Sequence, residues 1–251
     1  EKVSRIQPDE PSALRRPNNE AEYLIITTEA LKETAQTLAT YRSDLQTQVV
    51  DIEDIYDEFN FGIASPYAVK AFLSYARANW RTKPRYVVLA GDGTYDYKDT
   101  QGSGDNLIPP MMANTPSGLF PSDQWFVEQP SASQSEIAIG RLPVTTSSEL
   151  AEVIRKIVAR ENALALGESW VRSTLLVADN ADEAGNFLDS SEGLSGLVPG
   201  GDPLGRAYLS VDGVAGARRS LIDGINQGTG VVSYFGHAGF DQLADESLLT
   251  S

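Results

Sequence analysis

The chain has 251 residues, 41% hydrophobic and 22% charged, proportions that suit a globular protein with one large core or two smaller ones. Asp and Glu number 35 against 20 Lys and Arg, and the resulting formal charge of −15 repels nucleic acid and anionic membrane surfaces, so neither is expected as a partner. The absence of cysteine excludes disulfides, thiolate metal sites and a cysteine nucleophile within these residues, and no apolar run has the length of a membrane span or the character of a signal peptide.

Residues 1–20 carry Pro8, Pro11 and Pro17 without apolar periodicity and read as a lead-in or linker. Tyr23 to Thr27 is a short buried strand, and Thr28-Glu29 can cap a helix with Leu31, Ala35, Leu38 and Tyr41 on one face. Gln48 to Ile52 makes a second strand. Ser65-Pro66 opens the next helix with a capping hydroxyl and a proline at its first position, and Val69, Phe72, Leu73, Ala76 and Trp80 share its buried face. Tyr86 to Ala90 is a third strand, closed by Gly91-Asp92-Gly93. Residues 91–135 are rich in Gly, Pro, Asp and Asn; Ile108-Pro109-Pro110, Trp125 and Phe126 argue that this long loop has packing of its own. Glu136 to Gly140 is a fourth strand. Thr146 and Glu149 have capping-box spacing ahead of a helix lined by Leu150, Val153, Ile154, Ile157 and Val158. A first α/β subdomain is thus expected over residues 21–165.

A second subdomain, residues 166–251, begins with the strand Thr174 to Ala178, which ends at Asp179. A loop with Asn180, Asp182 and Glu183 leads through glycine-rich sequence to a strand at Ala207 to Ser210, then to a helix, Ala217 to Asn226, with Leu221, Ile222 and Ile225 inward. Gly228-Thr229-Gly230 turns the chain into Val231 to Phe235, a strand that stops at Gly236-His237-Ala238-Gly239. Alternating helices and short apolar strands imply mainly parallel sheets covered on both faces, an α/β fold of two αβα subdomains. Each half reads β-α-β-α-β and closes in a Val-Val strand with a polar residue among glycines, a pattern suggestive of duplication.

Ligands and catalytic groups gather at the carboxyl ends of parallel strands, and His237, the only histidine, stands at such an end with bare glycine backbone on either side. Asp179 ends a strand that can neighbour it and could orient the imidazole; a capping or loop Asp is the structural alternative. Asp92 at the third strand's end and Asp123 in the long loop could meet around a hard cation such as calcium if the loop folds back over the sheet, while a solvated acidic surface and an Asp-Gly turn are the commoner explanations of such residues. No phosphate-binding loop is present.

Tyr86 to Asp92 with Tyr95-Asp96-Tyr97, then Ser122 to Phe126, Ile137 to Val144, Leu175 to Asp179 and Tyr234 to Gly239 occur in an order that resembles the gingipain-type cysteine peptidase domain, from about Tyr23 to the end. The resemblance implies a caspase-like α/β domain of two side-by-side subdomains, calcium in the first and a Cys-His pair in the second, acting on protein or peptide substrates in a secreted or cell-surface protein. His237 would be the catalytic histidine and the N–H of Ala238 an oxyanion donor. The acidic partner falls near Asp179, with Asp182 as the alternative. Asp92 and Asp123, with the carbonyls of Phe120 and Trp125, match the region of the calcium site.

The nucleophilic cysteine of such domains follows the histidine after a further strand, and no serine here takes its place convincingly. The expectation is a cysteine peptidase domain truncated before its nucleophile, which a downstream segment of the same protein supplies. Glu246 to Leu249, an apolar turn with nothing evident to pack under it, fits that expectation. The alternative is a non-catalytic, calcium-stabilised scaffold or binding domain of a surface protein. A metal-dependent phosphoesterase is disfavoured, because two carboxylates make a poor two-metal site.

Overall fold

A computed structural model describes residues 11–102, 104, 106–115, 118–128, 136–239 and 241–250; the first ten residues of the lead-in lie outside them. The chain divides into two compact units, residues 1–156 and 157–251.

In the first unit β1 (Tyr23–Thr27) is followed by α1 (Glu29–Tyr41), β2 (Thr47–Asp51), α2 (Ile52–Asn60), α3 (Pro66–Asn79), β3 (Tyr86–Ala90), β4 (Met112–Thr115), β5 (Gly118–Pro121), β6 (Ala138–Leu142) and α4 (Ser147–Ala165), which runs on into the second unit. The sheet has the order β2-β1-β3-β6 and every pairing in it is parallel. Thr28 occupies the cap position of α1 but makes no capping bond; Leu31 and Leu38 are buried on that helix. A cap is worth about 1 kcal/mol and each buried leucine about 2 kcal/mol, so packing rather than capping holds α1. The expected face of α3 is buried, including Phe72 and Trp80, and Ser65 accepts from Tyr67 N at its start.

α2 adds to the expected elements. Asp51, at the end of β2, turns its carboxylate onto the N–H of Glu53 and starts the helix directly. The described part of the lead-in is also tied down without an apolar pattern. The Glu58 carboxylate accepts from Ser12 Oγ and from the N–H groups of Leu14 and Arg15, the Arg15 guanidinium lies over the Phe59 ring, and the Trp80 indole donates to Leu14 O at 2.8 Å. In the long loop, β4 and β5 form an antiparallel hairpin, and Ile108, Met111 and Phe126 are buried in the core of the unit.

In the second unit β7 (Thr174–Ala178), α5 (Phe187–Gly193), β8 (Leu204–Tyr208), α6 (Leu209–Gln227), β9 (Val231–Phe235), β10 (Gln242–Leu243) and β11 (Leu249–Thr250) follow in order. The sheet is β8-β7-β9, all parallel. Its first strand is central with the second and third on either side, the same winding as β2-β1-β3 in the first unit. α6 starts earlier than its periodicity indicates, because Asp212 accepts from Tyr208 N; Gly213, at φ 65° and ψ 170°, kinks it. Leu221 faces the core as expected and Ala217 is buried with it, whereas Ile222 and Ile225, also expected inward, are exposed.

Candidate active site

The parallel register sets Ala178 beside Phe235, and the ladder continues one step as Asp179 N donates to Phe235 O at 2.9 Å. The loops that leave β7 and β9 therefore rise side by side from one carboxyl edge. His237 stands on the second loop with 58% of its side chain exposed, and its Nε2 lies 2.8 Å from Oδ2 of Asp182, which is 42% exposed. Phe187 meets the imidazole edge-on at 5.5 Å between ring centroids. The other ring nitrogen, Nδ1, has no hydrogen-bond partner among the described residues.

Asp182 is itself held: its Oδ1 accepts from Ala184 N at 2.7 Å, and its backbone exchanges hydrogen bonds with Gly185. These bonds, the Ala184 N–H first and His237 after it, keep the Asp182 carboxyl below the usual carboxylate range. Asp179 has a different place. It is buried, and its Oδ2 faces the backbone N–H of His237 at 3.3 Å while Oδ1 accepts from Asn180 N. The Tyr234 hydroxyl lies 2.7 Å from His237 O and 3.3 Å from Asp179 Oδ2. Burial, and then the charge of Asp179, push that phenol well above its ordinary value. The side chain that meets the imidazole is thus Asp182, and Asp179 braces the main chain of the histidine loop.

Gly236, at φ 157°, permits this close stack. A Cβ there would stand 2.3 Å from the Tyr234 hydroxyl oxygen and 2.4 Å from Asp179 Cβ. Beyond the histidine, Ala244 N donates to His237 O and Gly239 N to Gln242 O. The bridge of Ala238 to Leu243 lies between these two bonds, so the N–H of Ala238 points away from the hairpin and is unpartnered among the described residues. The expectation of an unsupported apolar turn at Glu246 to Leu249 is corrected here. Leu248 is buried with Ala244 against Leu175, Val177, Ala217 and Leu221, and Arg218 donates to the carbonyls of Glu246, Ser247 and Leu248. The supporting residues lie far back in the chain, where a local reading does not see them.

The residues expected to hold calcium are engaged otherwise. Asp123 begins a short 3-10 turn (Asp123–Phe126) that includes Trp125, Phe120 lies in β5, and Asp92 follows β3 with its backbone bonded to Val144 O and Ile108 N. Both carboxylate oxygens of Asp123 are taken by Arg141, Nε to Oδ2 and Nη2 to Oδ1, each at 2.8 Å. Arg141 Nη1 donates further to Gly91 O and Ile108 O. A guanidinium thus occupies the position between loop and sheet that a cation would need. No group of three or more metal-ligating side chains occurs among the described residues. In this arrangement the expected set does not fit a calcium ion.

Two α/β units with parallel sheets, and a histidine-carboxylate pair above the carboxyl edge of the second, define a caspase-like peptidase-type domain. The chain belongs to peptidase family C25, the gingipain family, whose model matches residues 16–251. A solved structure described as a protease shares the fold, with a TM-score of 0.67 and 19% identity over 93% of this chain and 48% of that one. The dimeric latent PorU of Porphyromonas gingivalis is similar over 60% of this chain and 17% of its own length, at 24% identity and a TM-score of 0.48. The chain therefore spans less than half of either structure. No curated protein matches it.

Proposed function

We propose that this chain is the base-bearing part of a cysteine endopeptidase domain, with its nucleophile on a segment outside these 251 residues. The observation that carries the reading is the His237–Asp182 pair, which leaves Nδ1 open towards solvent. In the proposed reaction Nδ1 takes the thiol proton, the thiolate attacks the scissile carbonyl carbon, and the Ala238 N–H donates to the oxyanion. The imidazolium then protonates the departing amine, and water cleaves the thioester to release the second product. Asp182 fixes the tautomer and supports the imidazolium.

The repeated winding supports a place for such a segment. In the first unit β6 lies beside β3, the counterpart of β9. Among the described residues nothing pairs with the outer edge of β9, where Val231 and Val232 are 51% and 44% exposed. A strand added there in parallel would bring its carboxyl end beside His237, where a cysteine is needed. Protein or peptide substrates and action outside the cytoplasm belong to the same proposal; no described helix is long and apolar enough to cross a membrane. The lack of cysteine favours a second reading, a peptidase-like scaffold that binds without cleaving.

The test is peptide-library hydrolysis by the full-length protein, by its His237→Ala variant and after alkylation with iodoacetamide. Activity lost on both treatments is expected. Full activity after either one overturns the Cys-His assignment, and a full-length protein that never cleaves gives the scaffold reading.

A further inference from the structure

The first sheet carries a cavity on its own carboxyl edge that the His237 reading leaves unused. The chain leaves β1 towards β2 on one side and returns as β3 on the other, the arrangement that opens a ligand crevice in open α/β sheets. A cavity of about 700 Å³ lies there, lined from Thr28 after β1, from the starts of α2 and α3, and from the loop after β3. That volume is of the size that takes small organic ligands.

Three features describe what would fit. Thr28 is among the lining residues, and its hydroxyl oxygen, at a helix cap it does not close, is buried without a hydrogen-bond partner. Tyr67 and Tyr97 both line the cavity and are both exposed, with Tyr97 fixed by its hydroxyl bond to Pro110 O at 2.6 Å. Phenol rings pack favourably against a second aromatic ring, offset or edge-on. Glu53 and Asp99 also line the cavity, and Lys98 is the one cation among its lining residues. Burial, and then the charges of Asp51 and Asp57, hold the Glu53 carboxyl above its ordinary value, as expected of a site short of positive charge. The wall is built in advance: Asp96 accepts from Thr100 Oγ1 and Gln101 N, and the Asn106 side-chain amide bonds to Thr94 and to Asp96 O.

We propose that this cavity binds an ammonium group carried on an aromatic body, with the ammonium beside Glu53 and the ring against Tyr67 and Tyr97. The inference stands on the first unit alone and does not depend on the peptidase reading. A free aromatic amine and the N-terminal aromatic residue of a peptide share this chemistry.

The test is calorimetric titration of the 251-residue chain with tyramine, with p-ethylphenol, which keeps the ring and lacks the amine, and with p-hydroxyphenylacetate, which carries the opposite charge. Tyramine is expected to bind at least about tenfold more tightly than either of the others. Glu53→Gln should remove most of that preference while leaving the melting temperature nearly intact. A tripeptide with a free N-terminal tyrosine shows by competition whether peptides as well as free amines enter. Equal affinity for tyramine and p-ethylphenol, no binding of tyramine at millimolar concentration, or wild-type preference in Glu53→Gln would overturn the proposal.

Discussion

Asp179 and Asp182 act on different parts of His237, and substitution separates them. Asp182→Asn keeps the shape of the loop but removes the charge that holds the imidazole. In the full-length protein kcat/KM is expected to fall about a hundredfold or more, with the melting temperature lowered far less than by loss of Asp179. Asp179→Ala instead strips partners from His237 N and Asn180 N inside the fold, and should cost about 2–4 kcal/mol of stability, read from denaturant unfolding. Equal effects of the two on stability would refute this division. Because its folded pKa is depressed, Asp182 contributes stability above its unfolded value near 3.8, and that contribution fades as pH falls through the lower folded value. The difference in stability between wild type and Asp182→Asn should therefore shrink in acid. Gly236→Ala would press a methyl into Asp179 Cβ and the Tyr234 phenol, at a backbone φ of 157° that side-chain-bearing residues rarely adopt. We expect it to unfold the loop or move His237, visible as a changed histidine ring signal in proton NMR. Sequence alone showed that His237 lay at a strand end and that an acid was near. It did not show which acid, because the Asx turn through Ala184 that aims Asp182 is set by local hydrogen bonds and not by any apolar pattern.

At the level of elements, what was legible was what periodicity governs. The buried face of α3 and the capping box of α4, in which Glu149 accepts from Thr145 N and Thr146 N while Thr146 Oγ1 accepts from Glu149 N, follow from spacing. α2, the strap on Glu58 and the packing of Leu248 did not, since each depends on a polar contact or on partners distant in sequence. The Arg141 clamp is of the second kind. Its side chain and that of Asp123 are only 14% and 23% exposed, and three acceptors from separate segments converge on one guanidinium. Arg141→Lys retains the charge but not the fork, and is expected to cost about 2–3 kcal/mol. Calcium and chelator should leave the melting temperature of the wild type unchanged. A rise with calcium, lost in Asp123→Ala, would mean that the ion displaces the guanidinium and that the site implied by the family resemblance forms after all.

For the molecule as a whole, the decisive feature is the open side of β9. Val231 N donates to Ser173 O, and Phe235 O accepts from Asp179 N, so Val231, Ser233 and Phe235 turn their hydrogen-bonding groups to β7. The alternate residues, Val232 and Tyr234, turn theirs to the unpaired edge. A parallel strand docking there would satisfy those groups and cover valines that stand about half exposed, each worth roughly 1 kcal/mol when buried. In the 251-residue chain the amides of Val232 and Tyr234 should exchange rapidly with solvent while those of Ser233 and Phe235 are protected. In the full-length protein all four should be slow, and peptide hydrolysis, absent from the chain alone, should appear with that protection. Hydrolysis by the 251 residues alone that His237→Ala abolishes would show that the nucleophile lies among them. Rapid exchange at Val232 and Tyr234 in an active full-length enzyme would mean that the cysteine arrives by another route than a strand beside β9.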